Sequence, residues 1–282
     1  MKYLISIIML ISLNTFASYK VMSFNTTCSS ICEKGNYDKF KKRKHWIVDT
    51  INRHSPDLIG LQEVLTHKQL NWIQSQLADN YYLVYYRNLF IFRYADPAIL
   101  FKTSKFDLDR LGGFWLGPKG YRFSLGWKRA LPRRVQWTRL IDKESQKEFY
   151  FITSHFDNRK KNKENSAKVL LSAFQEVNIP IIFAADTNLK PETNGYNHLT
   201  GFFTDSFNIK ENFTLIKNSE TDIHHSCNIE KGEIFPDCRV DHVMLDRNHP
   251  WKVLNWTVDQ FVYGVKQRFT SDHRALIVDI KL

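Results

Sequence analysis

Apolar positions along this chain fall mostly into short alternating or continuous runs, which are typical of β-strands. Residues 19–24 alternate between polar and apolar side chains, and residues 58–61 form a short apolar run. The region 81–106 is strand-like and very aromatic. Further strands are predicted at 135–141, 149–154, 180–184, 240–245, 251–259 and 274–280.

Apolar residues at helical spacing predict three helices between these strands. They lie within 37–54, at 66–78 and at 165–177, and the second begins on a threonine that is a suitable N-cap. Two stretches, 111–128 and 188–238, are predicted as mostly irregular loops. Glycines and aromatic residues crowd the first of them, which favours the loop interpretation.

The chain shows neither an internal repeat nor a low-complexity linker, so we expect a single domain. Its 282 residues, of which 43% are hydrophobic, are enough to form a substantial core. Hairpin-like pairs of strands favour packed sheets over a doubly wound parallel sheet.

The first 17 residues are predicted to be a secretory signal peptide, and the domain then covers 18–282. Lys2 gives a positive start, residues 4–13 form an apolar run interrupted by serines, and Ala17 ends a plausible cleavage site. The apolar run is too short for a stable membrane span. We therefore expect a secreted or periplasmic protein.

Export makes disulfide bonds the first interpretation of the four cysteines. Nearness in sequence favours the pairs Cys28–Cys32 and Cys227–Cys238, although four cysteines allow three pairings. A zinc site is the alternative, since two histidines lie just before Cys227, but the spacing is irregular for a structural zinc site.

Basic residues exceed acidic ones, with 40 Lys and Arg against 29 Asp and Glu, which gives a net charge of +11. A basic surface attracts polyanions such as nucleic acid, or anionic membrane surfaces. Simple solubility is the alternative interpretation, so the charge favours a polyanion role without deciding it.

Polar residues that can carry chemistry stand directly after apolar strand runs in five short segments, and within a strand in a sixth. Strand ends are rigid and reach a shared rim, which suits a functional site. Each segment alone has a plain structural interpretation, such as a turn-forming Asp-Thr-Asn. Six of them in order predict a site. They contribute Asn25, Gln62, Glu63, His155, Asp157, Asn158, Asp186, Asn188, Asp241, Asp272 and His273.

The order of these segments and their residue sequences resemble those of the endonuclease/exonuclease/phosphatase family, the group around DNase I. The resemblance runs from about Val21 to Leu282, and its most typical parts are Pro-Asp-Leu-Ile-Gly-Leu-Gln-Glu-Val at 56–64 and Ser-Asp-His at 271–273. It implies an α/β fold, a DNase I-like four-layer sandwich. Two mixed β-sheets would pack face to face with flanking helices, and the active site would lie at one edge.

The resemblance also implies roles for individual residues. Asp186 and Asn188 would orient the attacking water and the phosphate, and Asp241 would hydrogen-bond His273, which acts as acid or base. Which of Asp186 and His273 takes the proton of the water stays open. Together with His155, which would contact the phosphate, these are the five implied catalytic residues.

The implied metal ligands are Asn25, Glu63 and Asp272. Their hard oxygen atoms suit Mg²⁺ or Mn²⁺, with Ca²⁺ as an alternative. A divalent ion would supply positive charge to a phosphate that becomes more negative during attack.

Two positions depart from the family pattern. DNase-type members carry a Glu before the strand that corresponds to 135–140, where this chain reads Pro-Arg-Arg. Other members carry a Glu shortly before the strand that corresponds to 98–101, where this chain reads Tyr-Ala-Asp. These departures argue against close DNase I-like behaviour, whereas Asp157 and Asn158 are more similar to the bacterial and deadenylase-type branch.

A secreted nuclease that acts on DNA or RNA is the leading functional hypothesis. Basic clusters at 39–44, 129–139 and 159–163 could follow a phosphate backbone. Arg134 and Asn158 are the candidate substrate-binding residues. The alternatives are a hydrolase of phospholipid headgroups or small phosphate esters, and a non-catalytic polyanion-binding protein. We expect a monomer without a stable protein partner.

Overall fold

The computed structural model describes residues 17–29, 39–86, 95–119, 122–127, 131–220, 227 and 231–282. In this part of the chain the helices are α1 (Phe40–His54), α2 (His67–Gln76), α3 (Lys160–Phe174) and α4 (Asn194–Phe202), with a short 3-10 helix at Ser206–Ile209. The strands are β1 (Ser18–Asn25), β2 (Leu58–Gln62), β3 (Tyr81–Tyr85), β4 (Ala98–Lys102), β5 (Phe106–Leu116), β6 (Arg133–Asp142), β7 (Glu148–His155), β8 (Ile181–Asp186), β9 (Phe203–Asp205), β10 (Lys210–Ile216), β11 (Asp241–Asp246), β12 (Lys252–Asp259), β13 (Val262–Tyr263), β14 (Arg268–Phe269) and β15 (Ala275–Lys281).

The described strands form two large mixed sheets. The first has seven strands in the order β10-β12-β15-β1-β2-β4-β3, and the second has six in the order β5-β6-β7-β8-β11-β9. The pairs β1–β2 and β7–β8 are parallel, whereas β1–β15 and β8–β11 are antiparallel. β13 and β14 form a separate small hairpin.

Three buried apolar clusters hold the layers together. One lies between the two sheets and contains Val21 of β1 and Phe151 of β7. A second joins α1 and α2 to the outer face of the first sheet and contains Ile47 and Met22. The third joins α3 and α4 to the outer face of the second sheet and contains Leu170. This helix–sheet–sheet–helix order confirms the predicted four-layer sandwich.

The strands and helices predicted from the sequence are present in the structure, with shifts of their end residues. The helix predicted from residue 66 begins at His67, and Thr66 is its N-cap. The Thr66 hydroxyl accepts a hydrogen bond from the Gln69 backbone at 3.3 Å, and the Gln69 side chain accepts one from the Thr66 backbone at 3.2 Å. This reciprocal pair satisfies two donors that the first turn leaves open.

Two predicted loops are wrong in part. Residues 111–116 belong to β5, whose ladder with β6 continues through Gly112 and Gly113. A Cβ on Gly112 would come within 2.4 Å of the Trp137 ring, so glycine serves close packing there and not a turn. The predicted loop 188–238 contains α4, β9 and β10, and the β13–β14 hairpin was not predicted.

A disulfide joins Cys227 and Cys238, which confirms one predicted pair and excludes Cys227 as a zinc ligand. Cys32 of the other pair, the two histidines before Cys227 and residues 1–16 lie outside the described residues. Among the helices that are described, none combines the length and the apolar character needed to cross a membrane.

Candidate active site

The site forms where strand ends from both sheets meet. β1 and β2 run parallel and end at Asn25 and Gln62, which are register partners. β7 and β8 run parallel and end at His155 and Asp186, which are also register partners. Asp241 begins β11 opposite Asp186. The first sheet therefore contributes an amide and the second contributes a histidine and two carboxylates to one rim.

The sheets approach closely just beneath this rim. A Cβ on Gly60 would lie 2.6 Å from the Thr153 hydroxyl and 2.9 Å from the Ala184 carbonyl. Glycine is therefore required for β2 to lie this close to β7 and β8. The Gln62 amide donates to the same Thr153 hydroxyl at 3.0 Å, which fixes the strand ends relative to each other.

Asp241 and His273 form a hydrogen-bonded pair. His273 Nδ1 lies 2.8 Å from Asp241 Oδ2, and its Nε2 lies 3.8 Å from Asp186 Oδ2. Asp241 is fully buried, while the His273 side chain keeps 17% of its exposure. Burial alone lowers the pKa of His273, but the carboxylates of Asp241 and Asp186 outweigh it and raise that pKa well above its ordinary value.

His155 is held by a second carboxylate, that of Asp96. Its Nδ1 lies 3.0 Å from Asp96 Oδ2, and its Nε2 lies 3.6 Å from Glu63 Oε1. The Arg133 guanidinium lies 3.6 Å from the same Asp96 oxygen. Burial would raise the pKa of Asp96, but His155 and Arg133 outweigh burial and hold that pKa below its usual range. The ionised Asp96 thus orients the His155 ring towards the rim.

Asp186 is the centre of the arrangement and is 1% exposed. Its Oδ2 accepts a hydrogen bond from the Asn25 amide at 2.9 Å and lies 3.5 Å from His155 Nε2. Its Oδ1 accepts a hydrogen bond from the Asn188 backbone at 2.9 Å. Both imidazole rings therefore point an Nε2 at one carboxylate.

Three residues next to the site hold unusual backbone conformations, and one of them is Thr27 on the loop after β1, with φ of 58°. Glu63, just after β2, has φ of 66°, and Asn188, two residues after β8, has φ of 53°. Left-handed backbone is costly for side chains other than glycine, and such strain is concentrated at functional sites. The Asn188 amide donates to the Phe156 carbonyl at 3.0 Å, which fixes its side chain beside Asp186.

A fully buried arginine ties together the two loops that border the site. Arg43 of α1 donates to the carbonyls of Thr26 and Thr270, each at 2.7 Å, and to the carbonyl of Thr27 at 3.1 Å. The hydroxyls of Thr27 and Ser271 lie 2.6 Å apart. The loop after β1 and the loop that carries His273 are thus one connected unit.

The donor set fits a hard divalent cation. Ligand atoms of Asp186, Asp241 and His273 lie within 4.8 Å of one another. Two buried carboxylates at this separation are costly without a compensating positive charge. Glu63 adds a third carboxylate at the rim, and its Oε2 accepts a hydrogen bond from the Cys28 backbone at 2.6 Å. Oxygen-rich groups of this kind suit Mg²⁺ or Mn²⁺.

The three predicted metal ligands do not all lie at the rim of the site. The Asn25 amide oxygen accepts a hydrogen bond from the Thr27 backbone at 3.0 Å while its nitrogen faces Asp186. Asp272 is exposed, and its carboxylate accepts a hydrogen bond from the Thr27 hydroxyl. Asn25 and Glu63 therefore lie at the rim, whereas Asp272 lies on the bordering loop.

The two predicted substrate-binding residues flank this centre. Asn158 is exposed, three residues beyond the end of β7. Arg134 is buried in β6; its neighbour Val135 is the register partner of Ser154, so Arg134 lies beside His155.

Sequence reasoning missed three residues that shape the site: Asp96, Arg133 and Arg43. By the sequence resemblance, Asp96 stands where the similar proteins carry a Glu, and its place before an apolar strand was the available signal. It pairs with His155, so this apparent departure preserves a carboxylate–histidine contact. Arg43 gave no signal, because it lies within a run of basic residues on α1.

No protein-family model matches the sequence, and a search of curated proteins finds no match. Solved structures are similar over nearly the whole chain. An endonuclease/exonuclease/phosphatase family protein from Bacteroides thetaiotaomicron is 23% identical with a TM-score of 0.79, over 95% of this chain and 99% of that one. A mannosyl-6-phosphatase of the same organism is 23% identical with a TM-score of 0.75, over 93% and 99%.

A third similar structure is D. rerio TDP2 in complex with a single-strand DNA product. It is 16% identical with a TM-score of 0.67, over 94% of this chain and 99% of that one. Likeness at these identities establishes architecture and leaves activity to the chemistry of the site. The chain has the fold of the endonuclease/exonuclease/phosphatase proteins, as the sequence resemblance implied.

Proposed function

We propose that this protein is an exported, divalent-metal-dependent phosphoesterase that hydrolyses the phosphodiesters of nucleic acid. The observation that carries the proposal is the setting of His273. Asp241 holds Nδ1 at 2.8 Å, while Nε2 faces the Asp186 carboxylate across an accessible rim. A histidine with one nitrogen fixed and the other open can exchange a proton with a reacting group.

Asp186 and Asn188 supply the groups that place the attacking water. The Asp186 carboxylate is fixed by Asn25 and by the Asn188 backbone, so it is oriented before substrate arrives. Since Asp186 and His273 face the same space, the proposal assigns the transfer of the water's proton to this pair. A divalent cation bound by Glu63 and the neighbouring carboxylates would supply positive charge for the phosphate.

His155 is suited to contact a non-bridging phosphate oxygen. Asp96 Oδ2 and an Arg133 guanidinium nitrogen both contact Nδ1, at 3.0 Å and 2.6 Å, so the ring is held in place and Nε2 is directed to the rim. The buried carboxylates alone would repel an anionic substrate. The Arg133 guanidinium and His273, whose pKa is raised, offset that repulsion.

Nucleic acid is the substrate that best fits the rest of the chain. The net charge of +11 favours a polyanion. The structural neighbour TDP2 was solved with a single-strand DNA product, which also supports nucleic acid as the substrate.

The test is hydrolysis of plasmid DNA, RNA, sphingomyelin and bis(p-nitrophenyl) phosphate with Mg²⁺, Mn²⁺, Ca²⁺ or EDTA. We expect cleavage of DNA or RNA that EDTA abolishes and that His273→Ala loses. His198→Ala is the matched control, because His198 is exposed on α4, away from the site. A folded wild-type protein that cleaves none of these with any metal would contradict the proposal.

A phosphate monoester is the second candidate substrate. It is favoured by the likeness to the mannosyl-6-phosphatase, which matches this chain about as well as the first neighbour does. Hydrolysis of p-nitrophenyl phosphate and mannose 6-phosphate, measured beside the diesters, separates the two. A higher kcat/KM for the monoesters would leave the proposed site chemistry unchanged and would identify a phosphate monoester, not a diester, as the substrate.

Export is part of the proposal. The leader predicted over residues 1–17 and the Cys227–Cys238 disulfide support it, since disulfides persist mainly in oxidising compartments. Mass spectrometry of the secreted or periplasmic fraction should find a mature chain that starts at about Ser18. Full-length protein confined to the cytoplasm would remove export from the proposal.

A further inference from the structure

Arg134 is a buried cation whose charge is not neutralised within the described part of the chain. The residue is 7% exposed, and its Nε makes no hydrogen bond. No described residue forms an ion pair with its guanidinium. Its neighbour Arg133 differs, since that guanidinium lies 3.6 Å from Asp96. Burying a charge without a partner is costly, so such a group usually has a ligand or another reason to be kept.

Aromatic rings hold this guanidinium in place. It lies over the Tyr86 ring at 4.0 Å and over the Trp115 ring at 5.6 Å. A Cβ on Gly113 would come within 2.3 Å of one of its terminal nitrogens, so glycine leaves the space that the guanidinium fills. Rings and glycine fix the group without neutralising its charge. Burial lowers the pKa of Arg134 to about 10, so it is still charged at neutral pH.

The strand register places Arg134 next to the candidate active site. Trp115 is the register partner of Arg134, and the pairing of Val135 with Ser154 puts Arg134 opposite His155. His155 in turn is paired with Asp186. One row across the second sheet therefore runs from the catalytic carboxylate through His155 to the uncompensated guanidinium, in steps of about 5 Å per strand.

We propose that Arg134 forms a second anion subsite, which binds a phosphate group adjacent to the one that is cleaved. This inference rests on the proposed function and narrows its substrate. The substrate is then a chain of consecutive phosphate esters, such as a nucleic-acid strand, and not an ester with a single phosphate. The guanidinium is suited to this role because its planar fork matches two phosphate oxygens.

The experiment compares substrates that differ by one phosphate. KM and kcat are measured with the metal that supports activity for bis(p-nitrophenyl) phosphate, a thymidine dinucleotide, and the same dinucleotide carrying a terminal 5′- or 3′-phosphate. The variants are Arg134→Met, which removes the charge but keeps an extended side chain, and Arg134→Lys, which keeps the charge but loses the fork. Arg139→Met is the matched control, since Arg139 lies in the same strand but is paired with Glu148.

We expect Arg134→Met to raise KM for a phosphorylated dinucleotide about tenfold to hundredfold, as loss of a charged hydrogen bond does. KM for the two single-phosphate substrates and kcat for all should change less than about twofold. Arg134→Lys should fall between wild type and Arg134→Met, and Arg139→Met should match wild type. The thermal midpoint of Arg134→Met should equal or exceed that of wild type, because an uncompensated buried charge has been removed.

The opposite pattern overturns the subsite. If Arg134→Met lowers the thermal midpoint and leaves all KM values unchanged, Arg134 is a structural residue stacked on Tyr86 and Trp115. If wild type hydrolyses none of the substrates, the proposed function fails, and titration calorimetry still tests the subsite. Phosphorylated dinucleotide should then bind wild type more tightly than Arg134→Met in EDTA, and equal binding would refute the subsite.

Discussion

Two aspartate–histidine pairs, each with a buried carboxylate, lie on opposite faces of β11, and they differ in what surrounds the histidine. Asp241 and His242 are consecutive, so their side chains point to opposite faces of the strand. Asp241 pairs with His273 at 2.8 Å on the face that leads to the rim. His242 pairs with Asp205 at 3.1 Å on the other face.

The Asp205 pair is closed on all sides. Both ring nitrogens of His242 face acceptors, since Nε2 lies 2.9 Å from the Leu189 carbonyl. Asp205 accepts further hydrogen bonds from Arg239 and from the Tyr196 hydroxyl, each at 2.8 Å. His242 is fully buried, so water and substrate do not reach it. A polar network that is satisfied in this way stabilises a fold and leaves no atom free to react.

The His273 pair is open on one side. Its Nε2 is 3.8 Å from Asp186, beyond hydrogen-bonding distance, and part of the ring is accessible. The same two residue types therefore serve packing in one place and chemistry in the other. The number of engaged ring nitrogens and the access of solvent distinguish them.

The difference between the two pairs is tested most directly by removing the His273 ring from one and the Asp205 carboxylate from the other. His273→Ala should reduce metal-dependent hydrolysis by about 10²- to 10⁴-fold, the usual range for loss of a general acid or base. Its unfolding midpoint should fall less than that of Asp205→Asn, because 17% of the His273 side chain is exposed whereas the Asp205 network is closed to solvent. Steady-state kinetics measures the loss of hydrolysis, and urea unfolding measures the change in stability. Activity within tenfold of wild type would show that His273 is not the proton-transfer group.

Asp205→Asn should lower stability and leave activity nearly unchanged. Replacing the carboxylate leaves Arg239 and His242 without their buried counter-charge, which should lower the free energy of unfolding by about 3–5 kcal/mol. Activity per folded molecule should stay near that of wild type at 20 °C. Urea unfolding and kinetics on the same samples measure the two effects. Full stability with lost activity would place this network in the active site instead.

A smaller effect is expected from Tyr196→Phe. The change removes one hydrogen bond to the Asp205 carboxylate and keeps the ring that packs against His242. Asp205 retains Arg239, His242 and the Phe207 backbone as donors. We expect a loss of about 1.5 kcal/mol in the free energy of unfolding. A loss as large as that of Asp205→Asn would mean that the network is stable only when complete.

The open pair was predictable from sequence and the closed one was not. Asp241 and His273 stand in segments whose order resembles a known family, and strand ends are places where functional groups gather. Asp205 and His242 carry no such signal. Their contact joins residues 37 positions apart, and Asp205 lies in a stretch that reads as irregular loop.

The same limit applies to the fold. β8 was predicted because residues 181–185 are a continuous apolar run, and β11 because residues 243–245 are apolar. β10 was missed because only Phe213, Leu215 and Ile216 of its seven residues are apolar, and none of them is fully buried. It lies at the edge of the first sheet, where pairing with β12 and the stacking of Phe213 on Trp256 hold it in place. Tertiary pairing of this kind overrides local pattern.

The smallest predicted effect concerns the pH dependence of the closed pair. Burial would raise the pKa of Asp205, but its hydrogen bond with His242 and the charges of His242 and Arg239 outweigh burial and hold that pKa far below its usual range. A depressed pKa contributes stability at pH values above the unfolded pKa of about 3.9, and the contribution is lost as pH falls towards the folded pKa.

The difference in unfolding free energy between wild type and Asp205→Asn should therefore be constant from about pH 7 to pH 5 and shrink by about 1 kcal/mol by pH 3. Urea unfolding of both proteins at pH 7, 5, 4 and 3 measures it. A difference that shrinks already between pH 7 and pH 5 would mean that a histidine, and not the Asp205 carboxylate, controls the network. Access of solvent, and not ionisation of the carboxylate, would then be the difference between the closed pair and the open one.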